Sequence, residues 1–126
     1  LIAVTALAWL FSSLTPPPLP RLLQNARQGG GWWGACPPRG TDGRKLALSP
    51  ELNVRVAEQF PPGTWEETLV KFLSDQGFGK MEYCEGDTTI RFMSFATKNM
   101  GAWVFWKVDE NRILWTKGFV SSSPSL

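Results

Sequence analysis
The stretch Phe60-Pro61-Pro62-Gly63-Thr64-Trp65-Glu66-Glu67-Thr68-Leu69-Val70-Lys71-Phe72-Leu73-Ser74-Asp75-Gln76-Gly77-Phe78 carries its own start signal, apolar stripe and stop signal for one short helix. Thr64 followed by Glu67 has the form of a capping box, in which hydroxyl and carboxylate satisfy backbone N–H groups that a first turn leaves without partners. Glu66 and Glu67 stand where the helix dipole favours negative charge. Trp65, Leu69, Phe72 and Leu73 share one side at helical spacing, with Glu66, Glu67, Lys71, Ser74 and Asp75 elsewhere, so a second layer must cover the stripe. Gly77 supplies the left-handed residue that ends the helix.

Upstream, Ser49 before Pro50 and Glu51 is a second helix start, a hydroxyl cap with proline at the first helical position. Leu52, Val56 and Phe60 give that helix an apolar edge. It must stop at Pro61-Pro62, and Gly63 frees the corner. Downstream, the apolar period changes to two. Met81 to Cys84 reads as a short strand and Glu85-Gly86-Asp87 as a turn. Thr88 to Ala96 alternates, Ile90 and Phe92 on one face, Arg91, Met93 and Phe95 on the other; Ala102 to Asp109 and Arg112 to Val120 follow. Asp109-Glu110-Asn111-Arg112 is a tight reversal with Asn111 left-handed. The expected domain, residues 46–120, is α+β: two short helices packed on one face of an antiparallel meander of three or four strands.

An apolar N-terminal helix is expected to precede it. Leu1 to Leu14 carries no charge, but as a helix it extends only about 21 Å, short of the roughly 30 Å hydrocarbon core. The chain begins at Leu, so three readings stay open: an uncleaved, truncated membrane anchor, a cleaved signal peptide, and a buried helix of a soluble protein. The anchor is carried forward, because Thr15 and the prolines Pro16, Pro17, Pro18 and Pro20 follow where a small-residue cleavage site would stand. Trp9 and Phe11 suit a membrane interface. Residues 15–45 read as a Pro/Gly-rich linker, with a turn or two of helix within Arg21 to Gln28. Trp32 and Trp33 in its glycine tract either fold back on the domain or lie at a membrane surface. Gly34-Ala35-Cys36 is not a lipoprotein cleavage site, since Trp33 stands where leucine is wanted. Residues 121–126 read as a disordered tail.

Strand Trp103-Val104-Phe105-Trp106-Lys107-Val108 is apolar on both faces, and its hairpin partner alternates Ile113, Trp115, Lys117 and Phe119 against Arg112, Leu114, Thr116 and Gly118. Two short helices cover one sheet face. The linker with Trp32 and Trp33 covers the other, or an aromatic patch stays open to a partner. In the open case Trp103, Phe105, Trp115 and Phe119 carry binding, with Lys107 and Lys117 as a basic rim.

The chain of 126 residues contains no histidine, which removes the usual general base, the commonest metal ligand and every Ser-His or Cys-His nucleophile pair. Gly29-Gly30-Gly31 lacks the Lys-Ser/Thr of a phosphate loop. Glu82, Glu85 and Asp87 read as a solvated turn. No cofactor, no metal and no catalysis are expected. Cys36 and Cys84 are either a disulfide, valued at roughly 4 kcal/mol by loop closure, or two unrelated buried thiols. Residues 1–45 hold five basic groups against one acidic, the remainder eight against ten, so the folded part is mildly acidic and nucleic acid is not an expected partner.

Gly63-Thr64 opening a helix, Leu69 and Leu73 along it, Gly77 closing it and a meander after it resemble the helix-helix-strand-strand-strand unit of small outer-membrane-assembly lipoproteins and β-lactamase-inhibitor proteins. The chain also resembles uncharacterised small anchored proteins of Gram-negative bacteria. The resemblance implies an extracytoplasmic, non-enzymatic, protein-binding domain. The resulting expectation is a single-pass inner-membrane protein with its C-terminal domain in the periplasm. It binds an unidentified protein as an accessory or immunity-type inhibitor, and the bilayer through its N-terminal segment. The alternative is a structural subunit of a larger bacterial membrane complex.

Overall fold
Ser49 opens helix α1 (Pro50–Gln59) in a computed structural model that describes residues 19–28 and 49–121. Its hydroxyl accepts the Leu52 N–H at 3.4 Å, and Leu52, Val56 and Phe60 point into the core. Pro61-Pro62 and Gly63, at φ +96°, turn the chain into helix α2 (Glu66–Asp75). Gly77, at φ +98°, closes α2 with the two bonds of a Schellman motif: Phe78 N–H to Leu73 O and Gly77 N–H to Ser74 O, both 3.0 Å. A Cβ there would also stand 3.3 Å from the Phe95 ring, a tight contact that adds to the cost of the left-handed backbone for any other residue.

Strands β1 (Glu82–Cys84), β2 (Asp87–Ala96), β3 (Gly101–Asp109) and β4 (Arg112–Ser121) follow as one antiparallel meander in chain order. The architecture is α+β, as the patterning predicts. Glu110 and Asn111 both take positive φ in the two-residue β3–β4 turn. β4 extends through Ser121, the first residue of the expected tail; the rest of that tail lies outside the described residues.

Both helices pack on one face of the sheet, where Met93, Ala102, Val104, Trp106, Val108, Ile113 and Val120 meet Leu52, Val56, Phe60, Leu69, Leu73 and Phe78. Ile113 belongs to this face and not to that of Trp115. Lys107 pairs with Trp115 but Val108 pairs with Ile113, so Leu114 is the extra residue of a bulge and the alternation flips across it. Strict period-two counting fails at that point.

The outer edge of β4 is occupied at two places. Ile113 exchanges bonds with the helix corner, accepting from Gly63 N–H and donating to Thr64 O at 2.8 Å each. Gly118 accepts from Ser49 N–H at 2.9 Å and donates to the Asn53 side chain at 3.2 Å. A Cβ on Gly118 would lie 2.6 Å from Leu52 Cγ, so only glycine lets α1 approach this edge.

Residues 19–28, inside the stretch read as a linker with a turn or two of helix, are packed against the domain. Pro20 leads into a 3-10 turn (Arg21–Leu23) that puts Leu22 and Leu23 into the helix-side core, 4% and 1% exposed. Two adjacent leucines contribute about 1.5–3 kcal/mol each by full burial toward docking a short segment whose conformational freedom proline already restricts. The segment is pinned by Leu22 N–H to Gln76 Oε1 at 3.3 Å, Arg55 Nη1 to Leu22 O at 2.9 Å and Arg27 N–H to Glu51 Oε1 at 2.7 Å. The remaining linker, with Trp32, Trp33 and Cys36, and the N-terminal run with Trp9 and Phe11 lie outside the described residues. No helix among the described residues is long and apolar enough to cross a membrane.

Candidate functional site
The start of α2 is built differently from the capping box its sequence suggests. Trp65 is the N-cap, with extended backbone and no side-chain cap bond, and the Thr64 hydroxyl donates back to Pro61 O at 2.7 Å. The hairpin satisfies the helix instead: Glu66 N–H donates to Asn111 O at 2.9 Å, and Trp65 bridges to Arg112. A tertiary carbonyl has replaced a local hydroxyl, which no local motif could announce.

Glu66 points inward. Trp106 is fully buried and its indole N–H needs an acceptor; Glu66 Oε2 supplies it at 2.7 Å, while Oε1 pairs with the Arg91 guanidinium. Arg91 also donates through Nε to Thr88 O at 3.1 Å and lies over the Tyr83 ring at 5.1 Å. One carboxylate thus ties α2 to β2 and β3, with both its oxygens engaged.

An open cleft of about 430 Å³ lies against this turn, lined by Trp65, Glu66, Glu67, Val70, Met81 and Asn111. Trp65 is 48% exposed, contrary to its place in the expected apolar stripe: an N-cap residue precedes the helical spiral, and its side chain leaves the stripe. The Arg112 guanidinium stacks on its ring at 4.1 Å and donates through Nη1 to Gly63 O at 3.0 Å. Tyr83 and Leu114 are the other large side chains left open on the sheet. The cleft combines an apolar floor, Val70 and Met81, with a carboxylate on Glu67 and an amide on Asn111 that make no side-chain bond among the described residues. Such walls fit a long cationic side chain, its aliphatic stem on the floor and its charge at Glu67.

The residues expected to form an open sheet patch are placed otherwise. Trp103, Phe105 and Phe119 are 5%, 0% and 0% exposed and form a second buried cluster with Cys84, Ile90 and Phe92, with Phe92 and Phe119 both against Phe105. Of the two alternatives for this face, a covered one and an open patch, the burial of Trp103, Phe105 and Phe119 fits the covered one. Trp115 is half-buried against the cluster, with Lys117 Nζ 5.9 Å from its ring. Lys107 reaches Asp87 at 3.6 Å. The Thr89 hydroxyl and N–H, with Lys107 beyond, hold the Asp87 carboxyl below its ordinary value. Cys84 is buried and disulfide-bonded; Cys36, the other cysteine of the chain, lies outside the described residues. Among the described residues no group of three or more acidic or cysteine side chains is placed to hold a metal.

No family model, curated protein or solved structure matches this chain. The site therefore has to be judged on its own chemistry, in which Trp65 is the feature that sequence reading assigns to the core.

Proposed function
We propose that this chain is a membrane-tethered, non-catalytic domain of the periplasmic side of a bacterial inner membrane, and that it binds a protein as an accessory or inhibitory module. The Trp65 cleft is the binding surface. The observation that carries this reading is the exposure of Trp65 at the rim of a concave, partly apolar cleft, stacked with Arg112. Tryptophan, tyrosine and arginine are the side chains that most often dominate protein interfaces, and a pre-positioned ring binds at low entropic cost. The sequence supports the non-catalytic part through its lack of histidine. The resemblance to outer-membrane-assembly lipoproteins and β-lactamase-inhibitor proteins points the same way, with the binding surface moved from the sheet to the start of α2.

Position-specific photo-crosslinking of the full chain in its native membranes tests the reading. Trp65→p-benzoylphenylalanine and Asn111→p-benzoylphenylalanine should give the same discrete protein adduct, and Glu58→p-benzoylphenylalanine, on the exposed side of α1, should give none. Absence of an adduct at both cleft positions, or equal adducts at all three, overturns the assignment. Carbonate extraction separates the tether from the binding claim: release of the chain into the soluble fraction removes the tether alone.

A further inference from the structure
The far end of α2 holds a second kind of cleft. A cleft of about 450 Å³ is lined by Arg21, Leu22, Arg55, Gln59, Phe72 and Gln76, with no carboxylate among its described lining residues. Arg55 is half-buried, and its Nη1 is fixed by the Leu22 carbonyl at 2.9 Å, so its guanidinium is held in place with no ion-pair partner among the described residues. Arg21 makes no side-chain bond among the described residues. Gln76 spends its amide oxygen on Leu22 N–H, which leaves its NH₂ as a donor, and Gln59 adds another. Guanidinium and amide donors lining one space, with no acid among its described lining residues, complement an oxyanion with several acceptor oxygens.

A neighbouring cleft of about 470 Å³ shares Arg21 and Gln76 and continues over Leu19, Pro20, Phe95 and Ala96. Its single acid, Asp75, is 3.9 Å from Lys71. The cationic space therefore adjoins a more apolar one that shares two of its lining residues. The geometry points to a phosphate-binding site at the Arg21–Arg55 cleft, taking a phosphate ester whose organic part lies over Leu19, Pro20 and Phe95. Leu22 and Leu23 build this site: their burial carries Arg21 to the mouth and presents the carbonyl that orients Arg55. The proposal is independent of the Trp65 cleft, at the opposite end of the helix.

Two probes decide it, glycerol 3-phosphate and dihexanoyl phosphatidylglycerol below its micelle concentration, each titrated into the full chain and followed by amide chemical shifts. Saturable shifts at Arg21, Arg55 and Gln76 are expected. Arg21→Gln, at a side chain that makes no bond among the described residues, should weaken binding roughly 5- to 10-fold, and Arg55→Gln roughly 10- to 100-fold, the latter being the range for charge-assisted hydrogen bonds. Arg55→Lys keeps the charge but loses the planar fork, and should fall between wild type and Arg55→Gln. Tighter binding of the phospholipid makes the source a lipid headgroup; equal binding of both makes it a soluble phosphate ester. No saturable shift with either probe, or affinities unchanged in Arg21→Gln and in a folded Arg55→Gln, overturns the site.

Discussion

The two ends of α2 solve opposite electrostatic problems. At its start, acids favoured by the dipole meet a sheet rich in aromatic rings, and the fold spends one of them: Glu66 turns inward to Arg91 and Trp106, while Glu67 faces the cleft. At its end the basic groups Arg21 and Arg55 come from elsewhere and line one cleft with no carboxylate among its described lining residues, while Asp75 lines the neighbouring one. Adjacent carboxylates on one turn therefore have unlike surroundings, one paired inside the fold and one open to the cleft. Cations with no ion pair among the described residues collect where the docked segment crosses the helices.

The sharpest way to break this contrast is Glu66→Ala. It strands the indole N–H of Trp106 and the Arg91 guanidinium, and should cost about 3–5 kcal/mol in chemical denaturation, while Glu67→Ala should stay within about 0.5 kcal/mol. Equal losses would erase the division of labour between the two acids. At the other end Leu23→Ala should cost about 2–5 kcal/mol if residues 19–28 are part of the core; a loss below about 1 kcal/mol would return that segment to the status of a spacer. Thr64→Ala comes next in size. A capping threonine would cost about 1 kcal/mol, whereas a hydroxyl bonded only to Pro61 O should cost less than about 0.5 kcal/mol.

The smallest effect is on pH. The Arg27 N–H, then the Arg27 side chain, hold the Glu51 carboxyl below its ordinary value of 4.5. Its stabilising contribution is therefore complete above that value and fades as pH falls through the lowered one. The carboxyl resonance of Glu51 should titrate below 4.5 in the wild type. It should stay low in Arg27→Ala, which keeps the N–H, and move back up in Arg27→Pro, which removes it.

Most of the scaffold is legible in the sequence because its signals are local. Ser49-Pro50, Pro61-Pro62-Gly63, Gly77 and the Asn111 turn each fix a boundary through backbone chemistry, and period-two runs mark the strands. What is not legible depends on contacts between distant residues. The Leu114 bulge moves Ile113 to the other face; the Asn111 carbonyl displaces the Thr64 cap; Leu22 and Leu23, hidden between prolines and glycines, join a core that composition alone places later in the chain. The candidate site inherits these misses. Trp65 is read as core because helical counting begins one residue too early, and Trp103, Phe105 and Phe119 are read as potential surface because nothing in their alternation shows that the second face is buried.

Gly118 and the Gly63-Thr64 corner carry one more consequence. With the backbone of β4 engaged at Ile113 by the corner and at Gly118 by the first turn of α1, a strand from another molecule finds no continuous row of donors and acceptors to zip along. Self-association through that margin must wait until α1 lifts away. Protection against fibrous assembly is thus tied to the stability of one ten-residue helix, and variants such as Gly118→Ala, which force that helix outward, should aggregate before they unfold.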